Sequence, residues 1–345
     1  MAINNSVESK AGESAEVINL SILGAGSWGL TLAHMLGQKP GYNVRVFCRN
    51  QERSARLSQG QIIDKPRQQA LTPAVRVSSD LASVVSGADY LLLACTSQGM
   101  RELLDALKSL NLPLPVLISA VKGLELATNM RMSEVIESVL PGSKVAALSG
   151  PNLALEVLNG LPTASVVAAS DLELAKSLRS VLSAPKFRVY ANDDLPGVEV
   201  GGTVKNVIAI AAGICDGLGL GVNAKASLLT RGLAETTRLA VRLGAQPSTL
   251  SGLAGMGDLF ATCESNLSRN YQVGFGLAKG KALSNILEDL GQVAEGVPTA
   301  SAVCELSIRL GLELPIAGQV ESTLKGISTP AAAIDALLSR PLARE

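Results

Sequence analysis

One charged residue lies inside a long apolar, glycine-rich run. Residues 201–213 read GGTVKNVIAIAAG, and Lys205 is the only charged side chain among them. If the run is helical, Gly201 and Gly202 lie one turn before Lys205 on the same side and leave bare backbone beside the ammonium. A charge in such surroundings is costly unless it is paired or takes part in chemistry. Lys205 is therefore either a candidate catalytic residue or a lysine that snorkels to the surface.

A second stretch has the spacing of a dinucleotide-binding turn. Gly24, Gly26 and Gly29 fit the pattern G-x-G-x-x-G, between a predicted strand and a predicted helix within residues 17–37. In that context the first glycine makes the tight turn, the second lets a pyrophosphate approach, and the third lets the helix pack on the strand. The helix N-terminus then offers free N–H groups to the phosphates. The stretch predicts a site for NAD or NADP.

The next predicted strand, residues 43–48, ends without an acidic residue. A carboxylate there would bind the ribose 2′-hydroxyl of NAD, but Arg49 and Asn50 follow the strand instead. An arginine at this place either holds the 2′-phosphate of NADP or is an ordinary surface residue. We therefore expect that NADPH is used at least as well as NADH.

The chain has one histidine, which narrows the choice of proton donors. His34 lies inside the helix that follows the glycine turn, so we expect it to be structural. Histidine-assisted nucleophiles and histidine-bound zinc are thereby excluded, and no metal is expected. If hydride is transferred, the proton at the carbonyl oxygen must come from lysine, tyrosine or a carboxyl group. Lys205 is the best placed of these.

Further polar residues follow predicted strands or lie in glycine-flanked turns. Each alone could be a loop residue or a helix cap, but together they are typical of a ligand site at the carboxyl ends of strands. A serine, an arginine and an asparagine in succession could clamp a phosphate, since arginine binds phosphate in a fork. The residues are Lys122, Gly150, Asn152, Asp258, Ser268, Arg269, Asn270 and Glu295.

Alternating patterns of strand and helix predict the fold. Short apolar runs at 90–94, 115–120, 144–150, 163–170 and 187–190 predict buried strands, and helices are predicted at 99–110, 132–140 and 172–182. After Pro196 only helical spacing follows. We predict an α/β protein with a flexible tail at 1–16, a doubly wound Rossmann-type domain at 17–194 that binds NAD(P), and a mainly helical substrate-binding domain at 195–345.

The composition is that of a globular enzyme. Thirty basic and thirty acidic residues give no net charge, so nothing indicates a nucleic-acid surface. Five cysteines without paired spacing favour a reducing compartment. Residues 1–16 lack the apolar core of a signal peptide, and no apolar run approaches the length of a membrane span. These features predict a cytoplasmic protein without a membrane span.

Several segments together resemble the bacterial-type NAD(P)-dependent glycerol-3-phosphate dehydrogenases. They are GAGSWG, VKGLE, SGPNLALE, GMGDL, SRN and VAEG, with the long block from Gly201 to Glu235. The resemblance runs from about residue 17 to about residue 328. The resemblance implies a Rossmann domain followed by a helical domain. It also implies reversible reduction of dihydroxyacetone phosphate to sn-glycerol 3-phosphate for phospholipid synthesis. A homodimer is expected by the same analogy.

The resemblance also implies roles for individual residues. Lys205 corresponds to the catalytic acid/base, and Asp258 would position it or keep it charged. The substrate would contact Lys122, Gly150, Asn152, Lys205, Asp258, Ser268, Arg269 and Asn270. Besides the glycines of the turn, the cofactor would contact Ser27, Trp28, Arg49, Lys122, Ala154, Arg269, Val293 and Glu295. One departure is Asn152, where the family commonly has serine or threonine.

Two alternatives stay open at this point. A β-hydroxyacid or 6-phosphogluconate-type dehydrogenase also pairs a Rossmann domain with a helical-domain lysine, but it would need a carboxylate anchor in place of the SRN clamp. A non-catalytic nicotinamide sensor would need the glycine turn, but not Lys205, Asp258 and Arg269 together.

Arg49→Asp tests the expected cofactor choice. The new carboxylate repels a 2′-phosphate and accepts a hydrogen bond from a 2′-hydroxyl, so NADPH binding should weaken while NADH binding is spared. Titration of the variant with each reduced cofactor measures both dissociation constants. An equal effect on the two cofactors would place Arg49 away from the 2′-position.

Overall fold

The computed structural model describes residues 17–341 except residue 61. The predicted tail, residues 1–16, therefore lies outside the described residues. Strands and helices alternate up to residue 192, and from residue 195 the described chain is helical. We call these two portions the sheet part and the helical part.

Eight strands form one sheet in the order β10-β9-β8-β7-β6-β1-β2-β5, and β3 and β4 form a separate antiparallel pair. The chain leaves β1 toward β2 on one side and returns to β6 on the other. The carboxyl ends of β1 and β6 are thus a topological switch point, where open α/β sheets bind ligands. The strands are β1 (Ile18–Leu23), β2 (Tyr42–Phe47), β3 (Ile62–Ile63), β4 (Gln69–Ala70), β5 (Val75–Ser78), β6 (Tyr90–Leu93), β7 (Val116–Ser119), β8 (Val145–Ser149), β9 (Thr163–Ala168) and β10 (Phe187–Asn192).

Helices cover both faces of the sheet and make up the helical part. Those of the sheet part are α1 (Ser27–Leu36), α2 (Gln51–Gly60), α3 (Leu81–Val85), α4 (Met100–Ser109), α5 (Met132–Val139), α6 (Ala154–Leu158) and α7 (Leu172–Leu182). The others are α8 (Leu195–Gly217), α9 (Gly221–Arg242), α10 (Pro247–Leu250), α11 (Asp258–Glu264), α12 (Arg269–Ala278), α13 (Leu283–Leu290), α14 (Gly296–Leu310), α15 (Pro315–Leu324) and α16 (Pro330–Leu338).

The predicted fold class is confirmed, with one reversal in the sheet. The six predicted strands after the glycine turn are all present, but β9 runs antiparallel to β8. The connection between these two strands, residues 150–162, contains only the five-residue helix α6, and an antiparallel neighbour needs no longer crossover. The elements not predicted from the sequence are β5 and the β3–β4 pair, which are short, and the helices α2 and α3.

Two apolar layers hold the sheet between its helices. Alternate residues of β1 point to opposite faces, so Leu20 and Ile22 pack with α1 and α7, while Leu23 packs with α4 and α5. A third core surrounds α8 in the helical part. A small cluster that includes Ala147, Val166 and Val198 joins the sheet to the start of α8.

Helix α8 is the axis of the helical part. Asp194 caps its N-terminus by accepting hydrogen bonds from the backbone N–H groups of Gly197 and Gln246. By length and composition α8 could cross a membrane, and all of its most apolar window is buried inside the fold. An all-round apolar surface is also what a helix surrounded by other helices requires.

Glycines let α12 pack against α8 at backbone distance. A side chain at Gly213 would collide with the carbonyl oxygen of Tyr271, and one at Gly274 would collide with that of Ile210. The two helices therefore touch through backbone, which explains a glycine-rich sequence in long helices despite the entropic cost of glycine there.

Gly274→Ala should destabilise the protein by about 3 kcal/mol, because the methyl group must push α12 away from α8. The matched control is Gly318→Ala in α15, where a Cβ meets nothing within 4 Å. That change should stabilise by about 0.5–1 kcal/mol through the unfolded chain. Denaturant unfolding of both variants gives the two free energies. Equal effects would show that α8 and α12 do not need bare backbone between them.

Candidate active site

A buried ion pair holds Lys205. Its Nζ lies 2.8 Å from Oδ1 of Asp258 and 2.6 Å from the hydroxyl oxygen of Thr262. Lys205 is 8% exposed and Asp258 is 1% exposed. Lys205 therefore does not snorkel to the surface, and its charge is neutralised inside the protein.

Lys122 binds the other oxygen of the same carboxylate. Its Nζ lies 2.6 Å from Oδ2 of Asp258 and donates to the carbonyl oxygen of Gly150 at 2.8 Å. Lys122 follows β7, Gly150 follows β8, and Asp258 begins α11. The sheet part and the helical part thus meet at one carboxylate flanked by two ammonium groups.

This cluster has one negative charge for two positive ones. Burial lowers the pKa of Lys122 to about 8, with the Lys205 charge acting in the same direction and Asp258 opposing it. Burial alone would raise the pKa of Asp258, but the two lysines outweigh it, so the pKa of this carboxyl is lowered. A site with surplus positive charge is suited to an anionic ligand or to an oxygen that gains negative charge.

Local chain geometry explains why the three side chains meet. The backbone from Leu253 to Gly257 forms a π-helical turn that leads into α11, and Thr262 lies one helical turn after Asp258. A Cβ at Gly201 would come 2.5 Å from the carbonyl oxygen of Ala254. The bare backbone before Lys205 therefore lets α8 pack against this turn.

Asn206 and Asn270 connect the cluster to α12 and α14. The amide of Asn206 donates to the carbonyl oxygen of Lys122 at 3.2 Å, and its own oxygen accepts from Asn270 at 2.8 Å. The side-chain oxygen of Asn270 accepts from the backbone N–H of Gly296. These bonds connect α8 with the segment after β7, with α12 and with α14.

The segment SRN begins α12. Ser268 is the N-cap of α12 and accepts a hydrogen bond from the backbone N–H of Tyr271, which leaves its own O–H to donate elsewhere. The clamp of three side chains stays a prediction. The first backbone N–H groups of α12 add further donors beside the Arg269 guanidinium.

Residues 291–295, between α13 and α14, lie across the nucleotide turn. Gln292 accepts a hydrogen bond from the hydroxyl of Ser27 at 2.8 Å, and the carbonyl oxygen of Val293 accepts from Arg269 at 2.7 Å. Glu295 accepts from the backbone N–H and the hydroxyl of Ser97, at 3.1 and 2.5 Å. This segment thus connects Ser27 in the glycine turn with Arg269 at the start of α12.

The glycine turn has the geometry expected of a pyrophosphate site. Gly24 has φ +128°, and a Cβ there would come 2.5 Å from the carbonyl oxygen of Ala94 at the end of β6. A Cβ at Gly29 would collide with the carbonyl oxygen of Gly24, whereas one at Gly26 would meet nothing. No side chain caps α1 at Gly26, so its first N–H groups are free for a ligand.

The remaining residues predicted to contact the cofactor differ in burial and in their contacts. Trp28 packs near Phe187, with ring centroids 6.3 Å apart, and Ala154 begins α6, which packs on α1. Val293 is half exposed. Arg49 is exposed and forms an ion pair with Glu102 at 2.9 Å.

His34 has structural contacts. Its Nε2 lies 2.8 Å from the Gln38 amide nitrogen and 3.0 Å from that of Gln69, which joins α1 to β4. Residues 17–341 without residue 61 contain no group of three or more histidine, cysteine or acidic side chains that could hold a metal ion.

Several residues that bond within the site were not predicted from the sequence. Thr262 was detectable, because it lies one helical turn after Asp258, and Asn206 directly follows Lys205. Ser97 and Gln292 carried no signal of their own. Their partners Glu295 and Ser27 are 198 and 265 residues away along the chain.

Comparison with known proteins identifies the family. Residues 19–175 match the model of the NAD-dependent glycerol-3-phosphate dehydrogenase N-terminus, and residues 194–335 match that of the C-terminus. The glycerol-3-phosphate dehydrogenase [NAD(P)+] of Synechococcus sp. (strain JA-2-3B'a(2-13)) is 42% identical over 344 residues, which are 99% of this chain and 100% of that one. That of Anaeromyxobacter sp. (strain K) is 46% identical and covers 93% of this chain and 97% of its own.

The chain belongs to the NAD(P)-dependent glycerol-3-phosphate dehydrogenase family. Among solved structures, the family's protein from Coxiella burnetii matches with a TM-score of 0.90 at 35% identity, covering 94% of this chain and 99% of that one. A D-mandelate dehydrogenase shares only the fold, at 14% identity and a TM-score of 0.62, with coverage of 94% and 100%. The family resemblance inferred from the motifs is confirmed, as are oxidoreductase chemistry and the NAD(P) cofactor of the family.

The shared carboxylate predicts opposite pKa shifts of Lys122 in two variants. Lys205→Met removes a repelling charge, so the pKa of Lys122 should rise above about 8. Asp258→Asn removes the attracting charge, so the same pKa should fall. Titration of selectively labelled lysine side chains by NMR measures both shifts, with the unchanged protein as the reference. Shifts of the same sign would show that the two lysines are not coupled through Asp258.

Proposed function

We propose that the protein reduces dihydroxyacetone phosphate to sn-glycerol 3-phosphate, reversibly, with Lys205 as the acid/base. The observation that carries this proposal is the Lys205–Asp258–Lys122 cluster at the carboxyl edge of the sheet. It combines a buried proton donor with surplus positive charge, beside a glycine turn suited to a dinucleotide. The relatives' name, glycerol-3-phosphate dehydrogenase, supports glycerol 3-phosphate as the reduced member of this pair.

NADPH or NADH would be held mainly by the sheet part. The free N–H groups at the start of α1 fit the pyrophosphate, and the bare Gly26 leaves room for it. Arg49 would face the ribose. The other residues that would contact the cofactor are Ser27, Trp28, Ala154, Val293, Glu295, Arg269 and Lys122. When bound, the reduced nicotinamide supplies a hydride to the ketone carbon.

Lys205 would complete the reduction by giving its proton to the ketone oxygen. Its Nζ already bonds to Asp258 and Thr262, which hold the ammonium in place. The positive charge also stabilises the oxygen while negative charge develops there. Transfer leaves a neutral amine, which takes a new proton from solvent. In oxidation Lys205 accepts the proton instead.

The other substrate contacts follow from charge. The phosphate would bind at the start of α12, where Arg269 and free backbone N–H groups converge, with Ser268 and Asn270 shaping that end. Lys122 and Gly150 would lie beside the reacting carbon. No metal is needed in this scheme, because lysine polarises the carbonyl.

The metabolic role and the cellular location of the protein are part of the same proposal. The product would enter glycerophospholipid synthesis, and the protein would act in the cytoplasm, where its five unpaired cysteines stay reduced. We assign cofactor binding to residues 17–194 and most substrate contacts to residues 195–345. Assembly as a homodimer stays a prediction.

Oxidation of NADPH or NADH in the presence of dihydroxyacetone phosphate tests the function. Lys205→Ala should lower kcat about 100-fold or more, because the proton donor and the positive charge act mainly in the transition state. Cofactor affinity, measured by titration, should change little.

Lys225→Ala controls for the loss of another well-buried, paired lysine, because Lys225 bonds to Asp216 and Glu264 outside the cluster. It should retain activity. Unphosphorylated dihydroxyacetone and a β-keto acid are the comparison substrates. Near-normal turnover by a folded Lys205→Ala protein, or a preference for the keto acid, would contradict the proposal.

A further inference from the structure

Two ion pairs involve arginines that follow β2 in the chain, and they differ in geometry and exposure. Arg53 donates to both oxygens of Asp64, from Nε at 2.8 Å and from Nη2 at 2.6 Å. Arg49 makes a single contact with Glu102 at 2.9 Å. The side chains of the first pair are 24% and 39% exposed, whereas those of the second are 78% and 71% exposed. The Arg53 guanidinium is therefore committed to Asp64, while Arg49 can exchange its partner at little cost.

The Arg49–Glu102 pair spans the switch point of the sheet. Arg49 follows β2, and Glu102 lies in the first turn of α4, which follows β6. These two strands flank β1, and the glycine turn after β1 lies between their ends. The backbone N–H of Gly24 in that turn donates to the carbonyl oxygen of Phe47 at 3.2 Å. The pair thus joins the two sides of the crevice in which such sheets bind a dinucleotide.

The arginine next to Glu102 is engaged elsewhere. The guanidinium of Arg101 donates to both oxygens of Glu125, at 2.7 and 2.8 Å. Glu102 therefore directs its charge toward Arg49. An acidic residue in the first turn of a helix also stabilises the helix through its dipole. Helix stability is thus the competing explanation for Glu102, and an experiment must separate the two.

A 2′-phosphate and the Glu102 carboxylate would compete for one guanidinium. To bind the 2′-phosphate of NADPH, Arg49 must leave Glu102, and the released carboxylate then lies near a second anion. NADH carries a hydroxyl at the same position and does not require the guanidinium. The ion pair therefore opposes binding of NADPH and leaves binding of NADH nearly unchanged.

We infer that Glu102 sets the balance between the two cofactors by competing with the 2′-phosphate for Arg49. Glu102 is a positioning residue for cofactor choice, because it acts through Arg49. The end of β2 lacks the acid that favours NAD, and a carboxylate 53 residues after Arg49 takes over part of that effect. The inference rests on the proposed function, which places Arg49 at the ribose.

Glu102→Gln tests the inference, because it keeps the size of the side chain and removes its charge. In titrations at low salt, the dissociation constant for NADPH should fall about 5-fold, and that for NADH should change by less than about 2-fold. Glu102→Asp keeps the charge and should keep the ratio of the two constants within about 2-fold of the unchanged protein's ratio. Because both side chains are exposed, salt at about 0.5 M should largely abolish the effect of Glu102→Gln.

Glu173→Gln is the matched control. Glu173 also lies in the first turn of a helix, α7, and forms an exposed ion pair with Lys176 at 2.7 Å. Because α7 packs on β9 and β10 at the other end of the sheet, this change should leave the ratio of the two constants unaltered. Arg49→Met is the second control. Without the guanidinium, Glu102→Gln should change the ratio by less than about 2-fold.

The outcomes that contradict the inference are distinct. An unchanged ratio in Glu102→Gln, or an equal change in Glu173→Gln, would remove Glu102 from cofactor choice. A full effect of Glu102→Gln in the Arg49→Met protein, or one that persists at high salt, would exclude competition for Arg49. Titration measures binding and not turnover, so a protein that binds both cofactors but does not reduce dihydroxyacetone phosphate would overturn the proposed function alone.

Discussion

The carboxylate of Asp258 forms ion pairs with two lysines, Lys205 and Lys122, and the arrangement of the site depends on it. Moving an ammonium group from water into a protein costs several kcal/mol, about as much as a close opposite charge returns. Here one carboxylate serves two ammonium groups, each on its own oxygen. Loss of Asp258 would leave both ammonium groups without this partner. The carboxylate is 1% exposed and accepts hydrogen bonds at both of its oxygens.

The same interaction joins the two parts of the molecule. Lys122 comes from the end of a sheet strand, Lys205 from the middle of α8, and Asp258 from the start of α11. Bonds from Asn206 to the carbonyl oxygen of Lys122 and from Asn270 to Asn206 extend this link toward α12. The sheet part and the helical part are thus held together by the same side chains that are proposed to do the chemistry. A change that disturbs the site should therefore also disturb the packing of the two parts.

Small residues let these elements approach closely enough. Gly201 allows the π-helical turn to contact α8, Gly202 faces the Ser149 hydroxyl, and Gly213 and Gly274 bring α12 onto α8. On the other side, residues 291–295 bind both Ser27 of the nucleotide turn and Arg269 at the start of α12. A movement of this segment would therefore displace groups at both the glycine turn and the start of α12.

Sequence alone determined the class of fold and the glycine turn, and it singled out Lys205 as a candidate catalytic residue. These features depend on local periodicity and on residue types within a few positions, which is information that a single segment carries. The role of Asp258 as the lysine's partner could be named only through the family resemblance.

Tertiary structure decided which side chains meet. Distant segments are joined by the second lysine on Asp258, by the bonds of Ser97 and Gln292, and by the bonds of Asn270 to Asn206 and Gly296. The reversal of β9, which brings the hydroxyl of Ser165 to the amide of Asn152, depends on how a short connection closes and not on the apolar pattern of the strand. Apolar periodicity reports which face of an element is buried, but it does not report what packs against that face, because many pairings bury the same area.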